Sequence, residues 1–124
     1  MSTQTTAASA MTVGAVAAAG ATHLAVALVG GGFAALLPSI AERLSLSSTG
    51  AGALVALFSV SALGSQPLMG GLADRFDTRH ITAITAVVAA GVLAAAAVVT
   101  SLLPLIAVII IGGLASAAFH PAGA

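Results

Sequence analysis

The charged residues of this chain fall into two short clusters, and this distribution limits the fold more than any other feature. Glu42 and Arg43 form the first cluster, and the second lies within residues 74–79. No Asp, Glu, Lys or Arg occurs before, between or after these clusters. Three acidic and three basic residues in 124 are far below the roughly one quarter charged residues of a soluble domain. The sequence therefore predicts an integral membrane protein.

The long charge-free stretches have the length of membrane spans. A spanning helix needs about 20 mainly apolar residues, because each residue advances about 1.5 Å across a hydrocarbon core about 30 Å thick. Four segments meet this requirement, namely residues 16–40, 50–72, 81–100 and 105–124. The predicted fold class is thus an all-α membrane protein of about four transmembrane helices.

The remaining segments are polar. Residues 1–15 lack the positive start of a secretory signal, so we predict a retained, disordered tail. Ser47, Ser48 and Thr49 form a short polar turn that offers an N-cap for the second helix, Thr78 can cap the third, and Pro104 fits the first turn of the fourth. Residues 73–80 form a predicted aqueous loop that holds Arg75 and Arg79. This loop and the N-terminus are therefore expected in the cytoplasm.

Composition argues against several functions. A net charge near zero and the absence of Lys give no basic surface for nucleic acid. Without Cys there is no disulfide, thiolate nucleophile or Cys-based zinc site. The three histidines come from three different elements and lack paired ligand spacing, so no metal site is predicted. No catalytic grouping or phosphate-binding loop is recognisable, and we predict neither an enzyme nor a cofactor.

Small residues recur at every fourth position in the first and fourth predicted helices. His23 begins the first row and His120 lies on the second. The other members are Ala27, Gly31, Ala35 and Ser39 in the first helix and Gly112, Ser116 and Ala124 in the fourth. Such rows let helices pack closely, although a chain rich in Ala and Gly also produces them by chance.

Three polar side chains within the predicted spans are candidates for function. An ionisable group in lipid is costly unless it faces a cavity or a partner, which singles out His23 and His120. Each either joins a proton pathway or binds a substrate, or is a neutral histidine satisfied by a neighbouring carbonyl. Gln66 precedes Pro67, which removes a backbone donor and bends the second helix.

The segment from Gly70 to His80 has the most specific pattern in the chain. It resembles the G-x-L-A-D-R-x-G-R-[RK] signature of the major facilitator superfamily, found there between helices two and three. The matching residues are Gly70, Leu72, Ala73, Asp74, Arg75 and Arg79, whereas Asp77 stands where the family usually has glycine. The resemblance implies a cytoplasmic gate loop containing Gly70, Asp74, Arg75 and Arg79.

Further stretches are similar to the fosmidomycin-resistance branch of that superfamily. They are His23 with Leu37-Pro38, then Gln66-Pro67, and finally Phe119-His120-Pro121. This resemblance implies that His23, Gln66 and His120 face a cavity. Val26, Ala27 and Ala122 stand where members of the branch often carry an acid, which affects any proton coupling through those positions.

The resemblance also implies a larger architecture of about twelve helices in two six-helix halves that rock around a midplane site. Our four helices correspond to the start of the N-terminal half. We therefore predict a truncated proton-coupled efflux permease for small drug-like molecules in the inner (plasma) membrane. Its expected partners are the lipid bilayer, a small-molecule substrate, protons, and the missing C-terminal helices or another membrane chain.

The alternative hypothesis is a complete, self-assembling four-helix membrane protein, either a small multidrug exporter or a structural bundle. Chain length and helix number favour this alternative. Small exporters of that kind resemble one another in carrying a glutamate within the first helix, and this chain has none there.

The membrane prediction is testable by thiol labelling, since the chain has no native cysteine. We expect Phe76→Cys, in the charged loop, to react with a water-soluble thiol reagent applied to inside-out vesicles. Val87→Cys, in the middle of the third predicted span, should not react. Equal labelling of both positions, or recovery of the protein in the soluble fraction without detergent, would contradict the prediction.

Overall fold

The fold is entirely helical over the residues that the structure describes. The computed structural model describes the backbone of residues 2–122 and the side chains of residues 13–118, except 15, 18, 19, 22, 25, 26, 73, 78 and 79. The helices of this part are α1 (Ser2–Arg43), α2 (Ser48–Gly64), α3 (Gln66–Ala73), α4 (Thr78–Val98) and α5 (Leu102–Ala122). The predicted all-α fold class is confirmed.

The N-terminal segment differs from the prediction. Residues 2–15, expected to form a disordered tail, belong to α1, which begins at Ser2. Alanine is the best helix former, and neither Gly nor Pro interrupts the chain before Gly14. At its other end α1 extends through Glu42 and Arg43, which we had expected in a polar turn after residue 40.

The end of α1 is a Schellman motif built around Ser45. The Leu46 N–H donates to the Ala41 carbonyl over 2.8 Å, and the Ser45 N–H donates to the Glu42 carbonyl over 3.1 Å. Ser45 has a φ of 52°, the left-handed conformation that this position normally fills with glycine. Of the three residues offered as an N-cap, Ser47 is the one used, because its hydroxyl accepts a hydrogen bond from the Gly50 N–H at 3.1 Å.

The second predicted span is two helices rather than one. α2 ends at Gly64 and α3 begins at Gln66, with a bend of 40° at the break. Pro67 lies in the first turn of α3 and has no N–H to donate to the Leu63 carbonyl, which accepts from the Ser65 N–H instead. The predicted bend at Gln66-Pro67 is thus confirmed, and a continuous helix over 50–72 is wrong.

The boundaries of the later helices move by a few residues. The charged connector spans only residues 74–77, because α4 begins at Thr78 and places Arg79 in its first turn. The Asp77 carbonyl accepts from the His80 and Ile81 N–H groups at 3.0 and 3.2 Å, as the residue before a helix does. α4 ends at Val98 instead of residue 100. α5 begins before residue 105, so Pro104 occupies its first turn as predicted.

Packing arranges the helices around α4 and α5. α4 packs against α5 and α1, and α5 also packs against α2 and α3. The chain alternates in direction, so α1 runs parallel to α4, and α2 with α3 runs parallel to α5. The principal core lies near the connectors 44–47 and 99–101, where the buried side chains are Phe33, Ile40, Leu54, Ala96, Leu105 and Ile109. Stacking of Phe33 on Phe58, with ring centroids 5.8 Å apart, joins α1 to α2.

Gly113 allows α5 to pack closely against the backbone of α2. A Cβ built on Gly113 would lie 2.5 Å from the Ser61 Cβ and 3.0 Å from both the Ala62 nitrogen and the Phe58 carbonyl oxygen. Two of these three atoms belong to the α2 backbone, which cannot move aside as the tip of a side chain can. Gly31 in α1 is the opposite case, since nothing lies within 4 Å of its added Cβ.

The helices differ in whether they are long and apolar enough to cross a membrane. Among the described residues, His80–Val98 is the helix that is long and apolar enough, with a mean hydropathy of 2.3. Only 17% of it is buried within the bundle, whereas the core helix of a soluble protein is mostly buried. The bent pair Ser48–Gly64 and Gln66–Leu72 counts as a second span if taken together, and the apolar stretch Leu102–Ala118 is shorter. The sequence predicts four spans. The length and composition of the described helices support one or two of them.

We expect Gly113→Ala to destabilise the bundle, because the new methyl group must push α5 away from the α2 backbone. Overpacking of this kind costs about 1–3 kcal/mol. Gly31→Ala is the matched control, and its open surroundings predict a change of at most about 1 kcal/mol, in the stabilising direction. Denaturant unfolding in detergent, followed by circular dichroism, measures both. Equal effects of the two substitutions would contradict the close approach at Gly113.

Candidate functional site

The charged connector between α3 and α4 is ordered by backbone hydrogen bonds from its first residues. Asp74 is the C-cap of α3, and its N–H donates to the Gly70 carbonyl at 3.1 Å. The Arg75 N–H donates to the Leu72 carbonyl at 3.0 Å. Gly70 is half-buried, whereas the side chains of Asp74 and Arg75 are exposed. The backbone therefore fixes where this acid and this base leave α3.

A histidine of the first turn of α4 lies beside the second half of the connector. The His80 Nδ1 lies 3.8 Å from an Asp77 carboxylate oxygen, and both side chains are mostly exposed. A pair so exposed contributes little to stability, since water and salt screen it. Arg79 lies on the first turn of α4, with its side chain outside the described part. Gly70, Asp74, Arg75 and Arg79 are thus brought to one end of the bundle, as their closeness in sequence requires.

His23 lies on the outer face of α1. The small residues of its row, Ala27, Gly31, Ala35 and Ser39, are likewise exposed. α1 contacts the bundle through a different face, where Val29 and Phe33 are buried and a Cβ on Gly32 would lie 2.9 Å from Leu93. Within the described helices this row is therefore not a packing face, which agrees with the alternative that a chain rich in Ala and Gly produces such rows by chance. The larger residues Val29 and Phe33, on a neighbouring face of α1, are the ones that the other helices bury.

The corresponding row of α5 faces inward. Gly112 is buried, and a Cβ there would lie 2.8 Å from Val92 on α4. Ser116, one turn further along, is half-buried. His120 continues the row on the α5 backbone, with its side chain outside the described part, as is that of the neighbouring Phe119. In α5 the prediction that small residues mark the packing face is confirmed as far as Ser116.

Gln66 is the first residue of α3 and is half-buried beside the break at Ser65. α3 packs on α5, whereas the principal partner of α1 is α4. The packing therefore does not gather His23 and Gln66 into one cluster, and their common cavity stays a prediction. No group of three or more His, Cys, Asp or Glu able to hold a metal ion occurs among the residues whose placement is described.

A groove of about 370 Å³ lies at the opposite end of the bundle from the charged connector. It separates the end of α1 from the start of α2, and its lining residues are Leu37, Pro38, Ala41, Leu46, Ser47, Ser48, Ala51 and Gly52. None of the predicted site residues lines it. Of the stretches used in the sequence comparison, Leu37-Pro38 alone contributes to its wall.

Arg43 makes a contact that the sequence analysis missed. Its Nη1 donates to the Ala97 carbonyl at 2.6 Å and its Nη2 to the Ala96 carbonyl at 3.0 Å. Both carbonyls belong to the last turn of α4, where no later helical N–H is available. We had expected Arg43 in a polar turn after residue 40, whereas it lies in the last turn of α1. Nothing in the sequence indicated that its guanidinium binds the end of a different helix.

The charged connector lies within a sequence match to a known protein family. The sequence model of the Major Facilitator Superfamily matches residues 19–124, which include α2 to α4 and the charged connector. The chain belongs to the Major Facilitator Superfamily, a family of membrane transporters. The family membership predicted from the Gly70–Arg79 segment is therefore confirmed.

The comparison is coarser than the prediction in one respect. The match is to the superfamily as a whole and does not single out the fosmidomycin-resistance branch. No curated protein and no solved structure matches the chain significantly. Membership thus establishes a membrane transporter of the major facilitator type. It does not identify the substrate, the coupling ion or the direction of transport.

Cysteine scanning of α1 tests whether the His23 row faces water or lipid. We expect Ala27→Cys and Ala35→Cys to react with a water-soluble thiol reagent, because a transport pathway is hydrated. Val29→Cys and Phe33→Cys, on the buried face, are the matched controls and should stay unreactive. Reaction of positions 27 and 35 with a lipid-soluble maleimide alone would assign this face to the bilayer and remove His23 from the pathway.

Proposed function

We propose that this chain forms part of a proton-coupled efflux permease that expels small drug-like molecules. The observation that carries the proposal is the gate-loop motif at Gly70, Asp74, Arg75 and Arg79 within a matched major facilitator sequence. The ordered similarity to the fosmidomycin-resistance branch at His23, Gln66 and His120 supports the finer assignment to efflux.

The charged loop is suited to act as a gate on the cytoplasmic side. Asp74 and Arg75 are exposed at the end of α3, so they are free to exchange partners when the helices move. α3 is a short segment that begins immediately after a break, and such a segment pivots at lower cost than a continuous helix. Movement of α3 would carry Gly70, Asp74 and Arg75 with it. On this proposal the loop and the N-terminus lie in the cytoplasm and the spans in the plasma membrane.

His23, Gln66 and His120 supply the polar groups of the proposed pathway. They lie within the spans predicted from the sequence, whereas the Asp, Glu and Arg residues lie at helix ends or in the connector 74–77. Histidine changes its charge near neutral pH, which suits it to move a proton or to bind an anionic group. Gln66 keeps both a donor and an acceptor at the α2–α3 break, where a substrate with complementary groups would be held.

Further helices are expected around this bundle. Large apolar side chains are exposed on its surface, among them Val16, Leu24, Val60 and Val87. The family fold supplies additional helices that would cover some of these faces, and lipid would cover the others. We therefore propose that residues 1–124 work together with helices beyond this bundle, which provide the opposite wall of the site.

A chimera tests this function directly. Residues 1–124 replace the equivalent helices of a proton-coupled major facilitator exporter, and drug efflux is measured in vesicles with an imposed pH gradient. We expect the chimera to transport and Asp74→Asn to slow it by about tenfold or more. A hydrogen bond to a charged group is worth about 1.5–3 kcal/mol, and about 1.4 kcal/mol on a barrier changes a rate tenfold.

Asp77→Asn is the matched control for the chimera. It removes the same charge three residues later, at the position where the family motif usually has glycine, and asparagine is an equally good residue before a helix. Efflux should change by less than about twofold, as for a screened surface pair. A well-folded, membrane-inserted chimera that does not transport, or equal losses in the two variants, would contradict the proposed function.

A self-assembling four-helix protein remains the second candidate. The exposed small-residue face of α1 is the feature that favours it, since such faces pack against a second helix at close range. Crosslinking of the chain alone in membranes separates the two functions. A discrete dimer that transports by itself would favour this candidate over the permease.

A further inference from the structure

The groove between the end of α1 and the start of α2 lies where these two helices hardly touch. Stacking of Phe33 on Phe58 joins them further from the connector 44–47, and they otherwise contact each other far less than α4 and α5 do. Leu37 and Leu46 line the groove and also pack against the principal core. The groove of about 370 Å³ is therefore a gap between two helices that is backed by the core.

The length and contacts of α4 give the depth of the groove in the membrane. His80–Val98 of α4 has 19 residues. At about 1.5 Å per residue this length is about 28 Å, which matches a hydrocarbon core about 30 Å thick, so the ends of α4 mark the two membrane boundaries. Arg43 donates to the Ala97 and Ala96 carbonyls at one of these ends. Leu37 lies fewer than two helical turns, about 9 Å, before Arg43 on α1, so the groove lies at that boundary.

The wall and the mouth of the groove differ in polarity. Leu37 and Ala51 present apolar side chains, whereas Ser47 and Ser48 bring hydroxyl groups at the connector. The Ser47 hydroxyl already accepts from the Gly50 N–H at 3.1 Å, so its own O–H remains to donate outward. The Ser47 carbonyl is also in use, because it accepts from the Ala51 N–H at 2.9 Å. The mouth thus offers hydrogen-bond donors and suits a partner that is rich in acceptors.

Size and charge decide what the groove can hold. One turn of an α-helix, about 10 Å across and about 5.4 Å long, occupies about 420 Å³, which exceeds the groove volume of about 370 Å³. A second helix therefore does not enter the groove, whereas a flexible chain does. The cation at this end of the described bundle is Arg43, and its guanidinium is bound to α4. The groove therefore does not select an anionic group.

We propose that this groove binds one phospholipid, with the upper part of an acyl chain along the apolar wall and the ester carbonyls at the hydroxyls of Ser47 and Ser48. An ester carbonyl accepts hydrogen bonds and donates none, as the mouth requires. Esters and the first carbons of the acyl chains lie at the membrane boundary, which is the depth of the groove. The lipid fills the gap between α1 and α2 and stabilises their separation. This inference rests on the placement of α4 across the membrane and is independent of what the protein transports.

Photolabelling of the full chain in liposomes tests the site. The vesicles consist of phosphatidylcholine, a small fraction of which carries a diazirine near the carboxyl end of one acyl chain. Peptide mass spectrometry compares the labelling of residues 37–52 with that of residues 90–98, whose exposed side chains on α4 report the lipid that merely surrounds the protein near the same boundary. We expect the groove to be labelled about two- to tenfold more strongly, which is the effect of one net hydrogen bond on an equilibrium.

Gly52→Leu fills the groove and should reduce its labelling to the level of the α4 face. Nothing lies within 4 Å of a Cβ built on Gly52, so the backbone does not oppose the change. Gly91→Leu is the matched control, because it adds the same side chain at an exposed glycine of α4 where a Cβ is equally free. The leucine at position 91 lies outside the groove, so the stronger labelling of the groove should persist.

Ser48→Ala tests the mouth of the groove without filling it. Loss of one donor should lower the excess labelling by about twofold or more. Thr49→Ala is the matched control, since it removes the neighbouring hydroxyl, which does not line the groove, and it should leave the labelling unchanged.

Equal labelling of the groove and of the α4 face in the unmodified chain would overturn the lipid site, and so would equal effects of Gly52→Leu and Gly91→Leu. Labelling of the groove below that of the α4 face would mean that protein covers it, which overturns the site as well. Circular dichroism checks that each variant remains helical. If Gly52→Leu loses its helical signal, the comparison of Ser48→Ala with Thr49→Ala decides the matter, and equal labelling of those two chains would overturn the site. Transport is not a readout here, so failure of the lipid site and failure of the proposed permease function are distinguishable.

Discussion

Every feature of this fold is subject to one requirement, that the backbone of long apolar segments be fully hydrogen-bonded. A peptide group in an apolar medium must be satisfied by the protein itself, and a helix does this without help from side chains. With so few polar residues, the chain has no other general means of satisfying its backbone. Among the described residues, the departures from helix therefore lie in the short connectors between helices and at the break before Pro67.

The ends of helices are where the few polar side chains act. Ser47 caps α2, the carbonyl of Asp77 receives the first N–H groups of α4, and Arg43 binds the last carbonyls of α4. These are the positions at which a helix leaves four donors or four acceptors unpaired. Arg43 thus stabilises the structure by linking α1 to α4, whereas Asp74, Arg75 and Arg79 belong to the proposed gate.

Side-chain size decides how the helices meet. Gly113 brings the α5 backbone against α2, and Gly32 accepts Leu93 of α4. On α1, however, the regular row from Ala27 to Ser39 is exposed while Val29 and Phe33 are buried. Small residues permit close packing but do not attract it, and the area buried by larger neighbours determines which face turns inward.

Four features could be predicted from the residues alone: the helical class, the bend at Pro67, an N-cap from Ser47, Ser48 or Thr49, and the superfamily through the gate-loop motif. These features are local, because each depends on residues within one or two helical turns. The inward face of each helix and the partner of Arg43, in contrast, follow from the way the helices pack. They depend on which distant surfaces meet, and in a chain of nearly uniform Ala, Val, Leu and Gly many pairings bury similar areas, so the pattern along the sequence does not distinguish among them.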